Sequence, residues 1–277
     1  FIDRHGFTWS SLGGVVAEES ITWTDFTFGV ELELVAPIDR YQISSKLITA
    51  GFTNWTVMHD GSLTSDIGWY ASEVVSPILK GEEGLATLKA VMDFLRLTIG
   101  ARVNASCGMH VHIGVRGMKP TRLRKIAIAF INNEKNFDAL VPASRLTNRY
   151  CQSNAGIVRH SRLTTAETVA QIGEAMNGGN SPQHYNHYRY YKLNFQSFVR
   201  HGTIEFRQHA GTVESSKACA WVRLIAGFCA GAASAPQQAT GVAQTFDAFI
   251  AGALTGDDAD DVGTYLVGRR AKFAAQR

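Results

Sequence analysis

Residues 26–37 read FTFGVELELVAP, and their alternation decides the fold. Phe26, Phe28, Val30, Leu32 and Leu34 occupy every second position, with Gly29, Glu31 and Glu33 between them. Successive side chains of a strand point to opposite faces, so this strand is apolar on one face and carries two carboxylates on the other. The same pattern returns twice. His110 and His112 share a face opposite Val111, Ile113 and Val115, and Glu205 and Arg207 share one opposite Ile204 and Phe206. His209 falls in phase with Glu205 and Arg207, which places it at the edge of the same face.

Between these strands the sequence reads as helices and short connections. A helix is expected over 38–50, stopped by Gly51, then strands at 55–58 and 70–75 around the turn HDGS (59–62). Amphipathic spacing of Leu85, Leu88, Val91, Leu95 and Ile99 predicts a helix over 82–99. Further helices are expected over 121–140, capped by Thr121, and from a Thr164–Glu167 capping box to about 176. Strands at 192–198 and 202–209 and a helix over 215–232 complete the pattern, with a turn-rich loop at 179–187. The first 20 and last 40 residues look peripheral. Strands in neighbouring pairs with short gaps favour antiparallel pairing. The expected class is therefore α+β: a curved, mostly antiparallel sheet with helices packed on one face. Residues 21–277 are expected to form one domain, with 1–20 as a peripheral segment.

The composition is that of an ordinary globular chain: 277 residues, 45% apolar and 18% charged. A net charge of +3, with scattered Lys and Arg, does not form the basic stripe of a nucleic-acid binder. Four cysteines (107, 151, 219 and 229) contain no C-x-x-C pair, which fits a reduced, cytoplasmic protein. The first 25 residues show no basic stretch followed by an apolar one, so no secretory leader is expected in them. The apolar run 218–235 is interrupted by Arg223 and reads as a buried helix, not a membrane span.

A lone E-x-E is usually a solvent face, and a lone E-x-R an ion pair. Three polar faces together, each backed by apolar residues, ask for more. Carboxylates held close repel and raise one another's pKa unless a cation sits among them. Oxygen ligands with one or two imidazoles suit Mg²⁺ or Mn²⁺. A second reading keeps only the H-x-H pair and one glutamate, as a site for Fe²⁺, Mn²⁺ or Zn²⁺ in a cupin-like barrel that does not use ATP. A third is a nucleotide- or peptide-binding module without turnover.

The runs FGVELE, EVVSPIL, CGMHVHIG and TIEFRQHAGT, in this order, resemble the amidoligase family, relatives of glutamine synthetase and glutamate–cysteine ligase. The resemblance extends over about residues 26–232. It implies a glutamine synthetase-like catalytic domain and a soluble ligase that joins a carboxylate to an amine with ATP, through an acyl phosphate. It also implies Mg²⁺ (or Mn²⁺) on Glu31, His110 and Glu205, and a second ion on Glu33 and Glu73. His112 and Arg207 would then face the phosphates, and Glu205, His112 and Arg207 would carry the chemistry. The substrates implied are a small-molecule or peptide carboxylate and an amine, amino acid or peptide acceptor. Neither nucleic acid nor membrane is an expected partner, and oligomeric state is left open.

No G-x-x-x-x-G-K-[ST] or G-x-S-x-G occurs, so nucleotide binding belongs to the sheet and no serine nucleophile is signalled. The segments PASRLTNRYC (142–151) and HYRYYKLNFQS (187–197) are dense in Arg, Asn and Tyr. They offer Arg145, Lys192 and Asn194 toward the nucleotide, and Arg149, Tyr150, Arg189 and Tyr191 toward substrates. Asp60 and Ser62 of the HDGS turn are further substrate candidates. Cys107 is expected to be a packed thiol, not a nucleophile.

Overall fold

Seven strands form one sheet in a computed structural model, which describes residues 20–181, 187–256 and 259–277. They are β1 (Thr27–Ala36), β2 (Thr56–Met58), β3 (Tyr70–Val75), β4 (Leu79–Lys80), β5 (Gly108–Gly114), β6 (Leu193–Asn194) and β7 (Thr203–Ala210). The order across the sheet is β2-β3-β1-β5-β7-β6, with β4 paired to β1, and the named pairs are antiparallel. The sheet is open, with β2 and β6 at its ends. The fold is thus α+β with a mostly antiparallel sheet, as the alternation implies. The turn-rich loop at 179–187 lies largely outside the described residues, as do residues 1–19 of the expected peripheral segment.

The helices are α1 (Arg40–Thr49), α2 (Gly81–Phe94), α3 (Pro120–Asp138), α4 (His160–Thr165), α5 (Val169–Met176), α6 (Gln196–His201), α7 (Ser215–Ser234), α8 (Gln237–Thr240), α9 (Phe246–Ala253) and α10 (Ala259–Ala274). Val30, Leu32, Leu34, Val111, Ile113, Ile204 and Phe206 join one buried cluster with Leu88, Phe130, Phe137, Trp221 and Phe249. Phe137 of α3 is its hub, with ring centroids 6.1 Å from Phe206, 6.0 Å from Trp221 and 4.9 Å from Phe249. Each such side chain withdrawn from water contributes about 1.5–3 kcal/mol. Among the described residues no helix is long and apolar enough to cross a membrane.

Several boundaries differ from the expectations, each for a local reason. Helix α3 is not capped by Thr121: Pro120 takes the first helical position, where its missing N–H costs nothing. The Thr164–Glu167 pair opens no helix, because Thr164 closes α4 and its hydroxyl donates back to Ser161 O at 3.1 Å. The box that opens α5 is Thr168 with Gln171. The strand expected over 192–198 stops at Asn194, whose Oδ1 accepts from Gln196 N at 2.8 Å and turns the chain into α6. The last 40 residues are not peripheral. Phe249 of α9 and Leu266 of α10 are each only 1% exposed, and α9 packs along α7.

Candidate active site on the acidic face of the sheet

Register brings the polar residues together. Neighbouring strands lie about 4.8 Å apart, so residues paired across ladders become a row of side chains on one face. Glu31 pairs with His110 and Glu33 with Glu73. Gly29 pairs with His112, His112 with Glu205, and Glu205 with Asn194, a row that crosses four strands. The expected third acid, Glu73, therefore lies directly beside the E-x-E strand.

Glu31 is the junction of the site. His110 donates from Nδ1 to Glu31 Oε2 at 2.8 Å, and His112 from Nε2 to Glu31 Oε1 at 3.1 Å. Burial works to raise the Glu31 pKa, but these two hydrogen bonds outweigh it and hold the carboxyl well below its usual range. Glu205 is 2% exposed. Its Oε2 accepts from Asn194 at 2.6 Å, and its Oε1 accepts from Arg207 Nη1. Burial again pushes upward, and Arg207, followed by His112, brings Glu205 below the ordinary value. His112 responds in the opposite sense. Burial disfavours its charge, yet Glu31 and Glu205 raise its pKa, while its Nδ1 sits 2.9 Å from Thr203 Oγ1.

Glu73 has no such relief. Burial first, then Glu31, Glu33, Asp60 and Glu205, push its pKa up to about 8. Glu33 accepts from the Gly108 backbone N–H and lies 3.6 Å from His110 Nε2. Gly108 fits this corner because a Cβ there would stand 3.2 Å from Arg145 Nη2, 3.3 Å from Glu33 Oε2 and 3.3 Å from His110 Nε2.

Among the described residues, donor atoms lie within 4.8 Å of one another inside each of three groups: Glu31, His112 and Glu205; Glu31, Glu73 and His110; and Glu33, Asp60 and Glu73. Hard oxygens with imidazole nitrogens and no thiolate suit a divalent cation such as Mg²⁺ or Mn²⁺. The carboxyl pushed up to about 8 is the kind of unbalanced charge such an ion would relieve. The second group joins the two ends of the site. Asp60, expected among substrate contacts, stands with these acids, and Ser62 serves its turn by donating its backbone N–H to Asp60 Oδ1 at 2.7 Å.

Arg207 is fixed from several sides. Besides Glu205, its Nε donates to Tyr150 O at 3.2 Å, and its guanidinium lies 5.8 Å from the centre of the Tyr190 ring. Tyr190 and Tyr150 meet edge to face at 5.2 Å. Arg149, which is exposed, lies over the Tyr150 ring at 4.5 Å, and Arg189 over the Tyr190 ring at 4.6 Å. Tyr191 is buried at 8% exposure, where its backbone bridges to Gln152.

Three expectations need correction or refinement. Lys192 does not face the site: its ammonium lies 2.9 Å from Glu134 and 2.8 Å from Asp138 of α3, in the layer behind the sheet. The paired part of β6 begins only at Leu193, so strand alternation does not extend back to Lys192, and the two acids one helical turn apart take its charge. Asn194 and Arg145 act on neighbouring protein groups. Asn194 orients Glu205, and Arg145 donates to the carbonyls of Arg207 at 2.6 Å and Gln208 at 3.3 Å.

His209 leaves the acidic face. A bulge opposite His110, between the pairs Val111–Phe206 and Met109–His209, breaks the phase of β7. The His209 ring consequently lies 5.1 Å from Trp221 on the helix side. Cys107 is buried, and burial raises its thiol pKa, as a packed cysteine should.

A cleft of about 730 Å³ opens beside Glu31 and His112. Ser76, Ile78, Arg116, Arg200, His201 and Thr203 line it. Of these, His201 approaches His112 edge to face at 6.1 Å. None of these side chains was singled out from the sequence. The signal available was the pair Arg200–His201, directly before the T-I-E-F-R strand.

An open α+β sheet thus carries an acid–histidine face, with Arg207 held beside it and a cleft adjoining. A family profile described as "Putative amidoligase enzyme" matches residues 24–229, and the chain belongs to that family. No curated protein matches the chain.

Proposed function

We propose that this chain is an ATP-dependent carboxylate–amine ligase. It would form an amide or peptide bond through an acyl phosphate, with a small-molecule or peptide carboxylate and an amine or amino acid as substrates. The observation that carries the reading is the convergence of Glu31, Glu33, Glu73, Glu205 and both histidines on one face, with Arg207 fixed on Glu205, beside a cleft of nucleotide size. A carboxylate is a poor electrophile. Its oxygen attacks the γ-phosphorus, ADP leaves, and the acyl phosphate formed offers phosphate as a leaving group. The amine nitrogen then attacks the acyl carbon, phosphate departs, and the nitrogen loses its proton. Such steps need positioning and charge neutralisation more than a protein nucleophile.

Each residue has a part in this scheme. Arg207, held in place by Glu205 and Tyr150 O, would neutralise the phosphoryl oxygens during transfer. His112, with its raised pKa, would present a proton toward the phosphate end of the cleft. Glu31, His110 and Glu205 would hold one Mg²⁺, since His110 Nδ1 lies 2.8 Å from Glu31 and 3.6 Å from Glu205, and Glu33, Asp60 and Glu73 would hold a second. The ions would supply charge neutralisation when bound. The cleft lined by Arg116, Arg200 and His201 would take the remainder of ATP. A glutamine synthetase-like core accommodates this arrangement, whereas an H-x-H metal site in a closed barrel is disfavoured by the open sheet.

The first test is thermal melting with ATP, with Mg²⁺, with both, and with Zn²⁺ or Fe²⁺ alone. A ligand at about 100 times its Kd adds about 2.7 kcal/mol, a shift of several degrees. A shift that needs ATP and Mg²⁺ together supports the ligase, and ADP release then screens acids and amines. A shift with a transition metal alone, and none with Mg-ATP, overturns it. Arg207→Lys should bind Mg-ATP normally while kcat falls about tenfold or more, because a point charge cannot replace the planar fork. An unchanged kcat for ADP formation removes Arg207 from the mechanism.

A further inference from the structure

On the helix side of β7, away from the acidic face, a cavity of about 510 Å³ lies between the end of β7, the start of α7 and α10. Its cations outnumber its carboxylates. Arg269, Lys272 and Lys217 line it against one acid, Glu214, and that carboxylate is taken by Lys217 at 2.6 Å. Among the described residues, neither Arg269 nor Lys272 is paired with a carboxylate.

Arg269 is nevertheless held in place. Its Nε donates to Leu140 O at 2.6 Å, Nη1 to Tyr265 Oη at 3.1 Å and Nη2 to His209 Nε2 at 3.1 Å, with the Phe273 ring 5.0 Å away. His209 is fitted to this role. Its Nδ1–H donates to Ala210 O at 2.6 Å, which leaves Nε2 as an acceptor. Burial, and then Arg269 itself, push its pKa down to about 3, so it stays neutral. The bulge that turns His209 off the acidic face thus supplies a neutral anchor for a guanidinium. A guanidinium has five N–H donors. Three are engaged by neutral partners, and the charge is not cancelled. An arginine oriented in this way, with a second cation beside it in a cavity, is an arrangement that recognises an oxyanion.

We propose that this cavity is a second binding site, for a small molecule carrying a carboxylate or phosphate group held by Arg269 and Lys272. Its volume lies in the range of small-molecule pockets and exceeds what a bare ion would need. The assignment does not depend on the ligase reading, because it uses none of the residues of the acidic face.

Calorimetric titration of the full chain tests it, with inorganic phosphate and with glutarate as separate probes, and chloride balancing ionic strength. Saturable binding of at least one probe is expected, and the probe that binds decides between phosphate and carboxylate. Lys272→Gln, at an exposed position, and Arg269→Lys should each weaken that binding about tenfold. Arg207→Gln, on the acidic face, should leave it unchanged. Absence of saturable binding by either probe overturns the proposal. So does binding that survives both Lys272→Gln and Arg269→Lys, or that is lost in Arg207→Gln alone.

Discussion

Glu205→Ala is expected to lower ATP turnover at least about a thousandfold and to destabilise the fold by about 3–5 kcal/mol. The activity loss follows from the place of Glu205 in the proposed cation site and from its grip on Arg207. The stability loss follows from burial. On a strand face open to water, the same substitution would cost little, and the alternation of residues 203–210 alone suggests that outcome. Glu205 is instead 2% exposed, accepting from Asn194 and Arg207. Its removal takes the paired carboxylate from the guanidinium of Arg207, whose side chain is only 11% exposed and keeps its hydrogen bond to the Tyr150 carbonyl. Glu205→Gln separates the two effects, since the neutral isostere keeps a polar partner for Asn194 but gives up the charge. Urea unfolding and ADP release, measured on both variants, check the prediction. Turnover within a few-fold of the parent in either variant would remove Glu205 from the site. The sign with pH is also fixed. Because the Glu205 pKa is depressed in the fold, its contribution is present above the unfolded carboxylate range and lost as pH falls through the folded value.

Much of the sheet was legible because a period of two, written in large apolar residues, leaves little choice of face. Phe28, Val30, Leu32 and Leu34 could go nowhere but inward, and Glu31 and Glu33 were carried to the other side with them. Register was legible only in part. That Glu33 stands beside Glu73, and His112 beside Glu205, depends on which strands are neighbours, and short-range patterning does not encode it. The misread positions are those where a local hydrogen bond or a defect overrides the period. Asn194 turns the chain, the bulge in β7 inverts His209, and Lys192 is drawn to Glu134 and Asp138, which come from a helix more than fifty residues earlier. The contribution of α9 and α10 was hidden for another reason. Helix α9 is apolar, but what buries Phe249 is Phe137 of α3 together with α7, and contacts between elements so distant in sequence are not written in the local pattern.

The crowding around Glu73 gives a pH dependence whose direction reverses with metal. In protein stripped of divalent cations, the carboxyl is held protonated up to about pH 8 by burial and by Glu31, Glu33, Asp60 and Glu205. The unfolded chain releases the same proton near the usual carboxylate value, about 4.3. Between those two values the folded state therefore binds the extra proton, and stability falls as pH rises. The contribution is fully present below the unfolded value and gone above the folded one. The drop attributable to Glu73 between pH 5 and 8 should be about 3.5 kcal/mol, with His112 adding a loss of the same sign as pH passes its raised value. A cation among Glu33, Asp60 and Glu73 needs the ionised form, so Mg²⁺ binding releases the proton and strengthens with pH. Stability in excess Mg²⁺ should accordingly hold level or rise over the window in which the stripped protein loses it. Glu73→Gln should flatten the metal-free slope and abolish most of the Mg²⁺ gain. Chemical denaturation from pH 5 to 8.5, with chelator and with Mg²⁺, resolves the terms. A stripped protein equally stable across the range would mean that Glu73 ionises freely and the acids are less crowded than their pairing implies. A slope that Mg²⁺ leaves untouched would keep the crowding but take the hard-cation role from this end of the site.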